Sequence, residues 1–166
     1  MSTDATYNVL FICTGNSARS ILAEGILNEL GKGKFRAFSA GSHPKGEVHP
    51  QALATLKRLH MPDTGYRSKS WDEFVAPQAP VFDSIFTVCD NAAGEVCPLW
   101  PGNPVSAHWG LPDPAAVTGT EEQQVKAFRD TAMMLRRRIE LLLSLPLHRL
   151  DAMSLQSELR KIGQEQ

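Results

Sequence analysis

The sequence has no long apolar run and almost no net charge. No segment approaches the ~20 apolar residues that a membrane-spanning helix needs. Residues 1–6 have neither the basic nor the apolar region of a signal peptide. The 17 basic and 18 acidic side chains leave a formal charge of −1, which gives no electrostatic reason to expect binding to nucleic acid or to a membrane. These features predict a cytoplasmic protein.

Cysteine and aromatic residues are also scarce. The chain of 166 residues has three cysteines, and aromatic residues make up 7% of it. It is therefore not a disulfide-stapled scaffold, because small scaffolds of that kind are dense in cysteine. Three thiols in the cytoplasm are expected to be reduced and to take part in chemistry. The length and the hydrophobic fraction of 42% suit one domain, spanning residues 1–166, with a sizeable core.

Apolar patterns and turn residues predict strands that alternate with helices along the chain. Strands are predicted at residues 7–13, 35–40 and 81–88, with a short one near Val105. Helices are predicted at residues 20–30 and 50–60, with a short helix at residues 71–75. This alternation favours an α/β fold in which a central parallel sheet of four strands has helices on both faces. Functional side chains then collect at the carboxyl edge of the sheet.

The last third of the chain has the clearest helical pattern. Thr120 and Gln123 have the spacing of a capping box, and apolar residues follow at steps of three and four until Pro146 ends the helix. The arginine run at residues 136–138 lies within this helix, and we interpret it as a solvated face. A final amphipathic helix is predicted at about residues 150–163, packed back on the domain.

The segment between the first strand and the first helix carries the strongest chemical signal. A cysteine, a glycine turn, small polar residues and an arginine meet where a strand passes into a helix. Such a loop can turn its backbone N–H groups inward and cradle an anion, and the planar guanidinium fits a tetrahedral oxyanion. The segment reads Cys13-Thr14-Gly15-Asn16-Ser17-Ala18-Arg19-Ser20.

Cys13 is the predicted nucleophile. The positive field of the helix N-terminus and of Arg19 is expected to lower the pKa of its thiol and to hold it as a thiolate. Ser20 either donates a hydrogen bond to that thiolate or caps the helix, and Asn16 is expected to hold an irregular, left-handed backbone. The alternative interpretation is a buried core cysteine, which the spacing of Cys13 and Arg19 disfavours.

Asp113 is the predicted proton donor. Proline on each side of it stiffens the loop and disfavours a helix there. The loop can therefore hold the carboxyl group over the anion cradle, where it passes a proton to a departing oxygen. The five histidines have no metal-ligand spacing, and we interpret His43 and His49 as loop-packing residues.

Cys89 and Cys97 form a second chemical group just after a predicted strand. The residues between them are small, polar or acidic, with a glycine that could act as a hinge. Three cysteines, one of them activated, can pass oxidation along by thiol–disulfide exchange. Two alternatives remain: a pair of incidental cysteines, or a zinc site, for which the spacing lacks a CxxC pair.

Taken together, these segments resemble the low-molecular-weight protein tyrosine phosphatases. They more closely resemble the thioredoxin-coupled arsenate reductases that share that fold. The resemblance covers nearly all of the chain and rests on residues 9–20, 38–42, 88–101 and 108–114. Cys89 and Cys97 separate the two classes, because a phosphatase has no use for a thiol relay.

The resemblance implies a role for each of these residues. Cys13 is the nucleophile supported by Ser20, the loop from Thr14 to Arg19 binds the oxyanion, and Asp113 is the general acid. Cys89 and Cys97 are the relay cysteines. Apart from a monovalent-cation site that would take potassium, no metal and no tightly bound cofactor are implied. The residues similar to that cation site are Asn16, Glu24, Ser39 and Asp72.

The activity that the resemblance implies is reduction of arsenate to arsenite in arsenic detoxification, with residual phosphatase action. Thioredoxin or a glutathione system would then reduce the enzyme, and phosphate would compete with arsenate because the two ions share a shape. We expect a monomer. The alternatives are a low-molecular-weight protein tyrosine phosphatase that forms a phosphocysteine, and a non-catalytic oxyanion-binding or redox-sensing module.

Overall fold

The computed structural model describes residues 6–88 and 104–164. The predicted relay cysteines, Cys89 and Cys97, lie outside these ranges. None of the helices within them combines the length and apolar character that crossing a bilayer requires. The strands are β1 (Tyr7–Cys13), β2 (Phe35–Gly41), β3 (Ser84–Thr87) and β4 (Val105–His108). The helices are α1 (Arg19–Leu30), α2 (Pro50–Arg58), α3 (Glu121–Leu143) and α4 (Ala152–Gly163), with 3-10 helices at Trp71–Phe74, Pro114–Ala116 and Leu147–Arg149.

The strands form one sheet in the order β2-β1-β3-β4, and every neighbouring pair is parallel. This confirms the predicted four-stranded parallel sheet. The chain passes from β1 to β2 on one side and then returns to β3 on the other, so β1 and β3 flank the point where the strand order reverses. Ligands bind at such a point in open α/β sheets, and Cys13 ends β1 there.

Both faces of β1, one of the two inner strands of the sheet, are buried. Successive residues of a strand point to opposite faces, and the four from Val9 to Ile12 are each 0% exposed. On one face Phe11 stacks on Phe86 with ring centroids 5.5 Å apart, and Trp109 stacks on Phe86 at 4.0 Å. The other face carries Phe38, which pairs in register with Leu10. The Phe38 ring meets that of Phe82 edge to face, with ring centroids 5.5 Å apart. The strand is thereby held rigidly below Cys13.

Most helix ends follow the sequence signals. The capping box of α3 is present, with Thr120 and Gln123 bonded reciprocally. Helix α2 ends at Arg58, two residues earlier than predicted, since His60 adopts a φ of 60° that no helix continues. Strand β3 is shorter than the predicted segment 81–88, because Val81 is 55% exposed and lies before the ladder begins.

Arg138 corrects the interpretation of the arginine run as a solvated face. It is 4% exposed, and its Nη1 donates to the carbonyl oxygens of Trp109 at 2.9 Å and Gly110 at 3.2 Å. Because a helix turns by about 100° per residue, three consecutive arginines cannot all share one face. Helix α3 therefore reaches the segment that leads to Asp113.

Trp109 anchors the same segment from three directions. Its backbone N–H donates to the carbonyl of Thr87 at 2.7 Å, and its indole Nε1 donates to Leu159 O of α4 at 2.9 Å. Its ring is 0% exposed. Leu111 N–H continues the pattern by donating to Val88 O at 3.1 Å. The stem of the Asp113 loop is therefore part of the core.

Replacing Arg138 tests how strongly this stem depends on α3. Arg138→Met keeps an unbranched side chain but leaves one buried and one part-buried carbonyl without this donor, so we expect the free energy of unfolding to fall by about 2 kcal/mol. Arg136→Met is the matched control, since Arg136 lies 3.6 Å from Glu140 in a half-exposed pair that is worth about 0.5 kcal/mol at most. Urea denaturation of both variants measures the difference, and equal losses would contradict the assignment.

Candidate active site

A cavity of about 170 Å³ opens at the carboxyl edge of the sheet, directly above Cys13. The predicted nucleophile, the oxyanion-binding loop and the predicted proton donor meet there. The end of β1, the start of α1 and the Asp113 loop all lie at this edge. Cys13 itself is only 4% exposed. The residues that line the cavity are Cys13, Thr14, Gly15, Ser17, Ala18, Arg19, His43, Lys45 and Asp113.

Segment 43–49 turns the carbonyl groups of the cysteine loop away from the cavity. Its backbone N–H groups donate to three of them, at distances of 2.9 to 3.0 Å. The pairs, donor first, are His43 to Thr14, Lys45 to Gly15 and His49 to Ser17. The fourth outward carbonyl, that of Ala18, accepts the first helical bond from Leu22 at 2.9 Å.

This arrangement directs backbone donors at the cavity. In a planar trans peptide the N–H points opposite to the C=O. The N–H groups that follow the outward carbonyls, which belong to Gly15, Asn16, Ala18 and Arg19, therefore turn inward. They lie at the positive end of the α1 macrodipole. The loop is consequently an anion cradle before any ligand arrives.

Asn16 holds the loop in a conformation that few residues accept. Its φ is 45°, in the left-handed region where asparagine is tolerated, and this confirms the predicted backbone. Its Nδ2 donates to Ser20 Oγ at 2.8 Å and Ser39 Oγ at 3.0 Å, while its Oδ1 accepts from Lys69 N–H at 2.9 Å. The side chain is 0% exposed, and its bonds to Ser20 and Ser39 are buried.

Gly41 lets β2 approach the cysteine loop. A Cβ at this position would lie 2.5 Å from the carbonyl oxygen of Thr14 and 2.9 Å from that of Cys13. Both distances are well inside van der Waals contact. The close approach brings β2 and the cysteine loop into direct backbone contact.

Arg19 and Asp113 face each other across the cavity. Arg19 Nη1 donates to Leu111 O at 2.7 Å, and Nη2 lies 3.8 Å from Asp113 Oδ2. Arg19 Nε is buried and has no hydrogen-bond partner among residues 6–88 and 104–164. It is thus a donor that a ligand oxygen can satisfy. The arginine therefore links the cradle to the loop of the proton donor.

The loop around Asp113 contains more structure than the flanking prolines suggested. A 3-10 helix starts at Pro114, and Asp113 caps it by accepting from Ala115 N–H at 2.9 Å through Oδ1. The expectation that no helix forms there was wrong for the residues after Asp113, because aspartate is a good N-cap and proline fits the first helical position. The cap orients the carboxyl group and leaves Oδ2 toward Arg19.

Ser20 does not cap α1, so that alternative for its hydroxyl was wrong. The helix has no side-chain cap and starts one residue earlier than predicted, at Arg19. Ser20 Oγ, which is 0% exposed, accepts from Asn16 instead. Its own hydroxyl proton remains for donation.

Two residues of the cavity were missed by sequence reasoning. His43, which we interpreted as a loop-packing residue, also lines the cavity, and Lys45 lines it too. His49 does pack, with its ring 4.8 Å from that of Phe128, and its Nδ1 accepts from Gln51 N–H to cap α2. Burial lowers the pKa of His49, and the Lys45 ammonium lowers it further.

Three of the four residues similar to a cation site are joined in one network. Asn16 donates to Ser39, and Ser39 Oγ donates to Glu24 Oε1 at 2.5 Å. Asp72 is exposed and makes no hydrogen bond to these three in the described parts of the chain. Burial raises the pKa of Glu24, and the Lys69 ammonium opposes that rise.

The structure brings the strand before Cys89 next to β1. Thr87 pairs with Ile12, and Val88 N–H donates to Ile12 O at 2.9 Å. Cys89 follows Val88 directly in the sequence. The last described residue before it therefore lies beside the strand that ends in Cys13.

A parallel sheet with a cysteine under an anion cradle at its carboxyl edge defines a class of enzymes that attack an oxyanion with a thiolate. The family model described as low molecular weight phosphotyrosine protein phosphatase matches residues 8–158. The chain belongs to that family.

Several of the similar proteins are named arsenate reductase. A protein named arsenate reductase from Halalkalibacterium halodurans is 34% identical over 132 residues, which cover 80% of this chain and 91% of that protein. A structure titled as an arsenate reductase in oxidized state has a TM-score of 0.68 at 27% identity, covering 84% of this chain and 98% of its own. Another, titled as an arsenate reductase in the phosphate binding state, has a TM-score of 0.65 at 26% identity, with coverages of 84% and 98%.

Gly41→Ala tests the close approach of β2 to the cysteine loop. The new methyl group must push the Thr14 carbonyl away, so we expect the free energy of unfolding to fall by about 2 kcal/mol. Because the displaced loop misaligns its donors, inorganic phosphate should bind about tenfold more weakly or worse. Calorimetric titration with phosphate measures this. Unchanged affinity would contradict the role given to Gly41, and Ser42→Ala serves as the neighbouring control.

Proposed function

We propose that this chain is an arsenate reductase that uses Cys13 as its nucleophile. The observation that carries the proposal is the cavity in which Cys13 faces inward backbone donors, Arg19 and Asp113. The names of the relatives support arsenate as the oxyanion. Phosphate competes for the same cradle because the two ions share shape and charge.

The first step joins sulfur to arsenic. The Cys13 thiolate attacks arsenic(V), the inward N–H groups and Arg19 hold the remaining oxygens, and Asp113 protonates the departing oxygen, which leaves as water. Before attack, the Ser20 hydroxyl donates a hydrogen bond to the thiolate. This direction is supported by the hydrogen bond that Ser20 Oγ accepts from Asn16. These groups are already positioned before the attack, which lowers the reorganisation free energy of the step.

The second step moves electrons from sulfur to arsenic. Cys89 attacks the sulfur of Cys13, the sulfur–arsenic bond breaks, and its electron pair leaves with arsenic as arsenite. A Cys13–Cys89 disulfide remains. Cys97 then attacks the sulfur of Cys89 and releases the Cys13 thiolate, leaving a Cys89–Cys97 disulfide. The position of Val88 beside Ile12 supports this order.

An external thiol completes the cycle. Each turnover leaves one disulfide, so a dithiol such as thioredoxin, or a glutathione system, must return two electrons. A relay that starts from three thiols operates best where thiols are kept reduced, and we therefore assign it to the cytoplasm.

Potassium is not part of the proposal. The oxygens of Asn16 and Ser39 already accept protein hydrogen bonds, and Lys69 provides a positive charge that acts on Glu24. Each of these oxygens keeps a second lone pair, so a monovalent-cation site here stays a prediction. Asn16 and its partners hold the loop through hydrogen bonds.

Single cysteine variants test the reaction sequence. NADPH oxidation coupled through thioredoxin reductase and thioredoxin measures arsenate turnover, and hydrolysis of p-nitrophenyl phosphate measures attack by Cys13 alone. Cys13→Ser should lose both activities by at least about a thousandfold. Cys89→Ser and Cys97→Ser should lose multiple turnover with arsenate and keep the hydrolysis of the ester. Asp113→Asn should slow both activities by about a hundredfold.

The same measurements distinguish the phosphatase alternative. If Cys89→Ser and Cys97→Ser leave every activity intact, and the wild type oxidises no NADPH with arsenate, the chain is a phosphatase that works through a phosphocysteine. If neither substrate is turned over, the chain is an oxyanion-binding or redox-sensing module.

A further inference from the structure

Lys45 is a cavity residue to which neither the motif nor the reaction sequence gives a role. It lies four residues after Gly41, in a polar loop. Its backbone N–H donates to Gly15 O at 3.0 Å, which fixes the start of its side chain beside the cysteine loop. The lysine is therefore part of the cavity wall by way of its backbone.

The aliphatic stem of Lys45 lies over Gly15. A Cβ placed on Gly15 would be 3.2 Å from Lys45 Cε, 3.3 Å from Cγ and 3.4 Å from Cδ. Three consecutive parts of the stem thus run across the surface of the loop. A Cβ at Gly15 would be in tight contact with this path, so glycine leaves the stem the most room. Lys45 lines the same cavity as Cys13.

Lys45 and Arg19 differ in their ion pairs among the described residues. Lys45 forms no ion pair within the two described ranges, whereas Arg19 has Asp113 at 3.8 Å. The Lys45 charge also acts beside the cysteine loop: burial lowers the pKa of His49 and Lys45 lowers it further, and the His49 backbone N–H donates to Ser17 O.

A thiolate and a doubly charged oxyanion in one cavity repel each other. Arg19 supplies a single positive charge against the three negative charges of the thiolate and the ligand. A second cation at the rim, joined to the loop, offsets this repulsion and attracts the more highly charged form of the ligand. Lys45 has the position and the charge for this task.

We propose that Lys45 is a second cationic substrate-binding residue that selects the doubly ionised oxyanion. This deepens the proposed function, since the oxyanion is arsenate there, but phosphate binding tests it independently of arsenate turnover. Lys45 acts on binding, and the chemistry of Cys13 and Asp113 proceeds without it.

Lys45→Met tests the proposal because methionine keeps most of the stem and removes the charge. Calorimetric titration with inorganic phosphate should show about tenfold weaker binding, and the loss should shrink as salt is added. Lys45→Arg should restore affinity to within about twofold. Lys34→Met is the matched control, since Lys34 is exposed and precedes β2 at the opposite edge of the sheet, and its affinity should equal that of the wild type.

Steady-state kinetics separate binding from structure. With arsenate, Lys45→Met should raise KM about tenfold with kcat within about twofold of the wild type. Wild-type phosphate affinity in Lys45→Met, or a fall in kcat with KM unchanged, would overturn the proposal. If Lys45→Met lowers the melting temperature, Lys45→Gln replaces it under the same criteria. If the wild type reduces no arsenate, the proposed function fails, whereas the phosphate titrations still decide the role of Lys45.

Discussion

The chemistry of this protein depends on one constraint, the outward rotation of the peptide carbonyls in the cysteine loop. Segment 43–49 supplies the three amides that hold those carbonyls out, and Asn16 absorbs the required left-handed turn. The inward N–H groups follow from peptide planarity. Without these bonds the same residues would be an ordinary strand-to-helix turn, with neither a cradle nor a field to stabilise a thiolate.

A second set of contacts ties the proton donor to this cradle. Arg19 reaches Leu111 and Asp113, while Arg138 and Trp109 fasten the stem of the same loop to α3, α4 and the core. The proposed nucleophile, anion donors and acid are therefore parts of one rigid assembly. Such preorganisation is what makes electrostatic stabilisation of a developing charge effective.

The sequence revealed the parts of the site whose signal is local. Cys13 and Arg19 are separated by a loop of fixed length, and the left-handed Asn16 has a local conformational signature. Residues that reach the site through tertiary packing had no such signal. Lys45 is a lone lysine in a polar loop, and its place depends on pairing between two loops. The burial of Arg138 could not be predicted from a run of three arginines, because tertiary packing decides which face of α3 meets the core. Cys89 and Cys97 remain predictions, outside the described residues.

The central claim is that the cradle holds Cys13 as a thiolate near neutral pH. Its most direct test is the pH dependence of iodoacetamide alkylation at Cys13, in a variant that carries Cys89→Ser and Cys97→Ser so that only one thiol reacts. The account predicts a midpoint below about 7. A midpoint near the ordinary cysteine value of about 8.5 would contradict it.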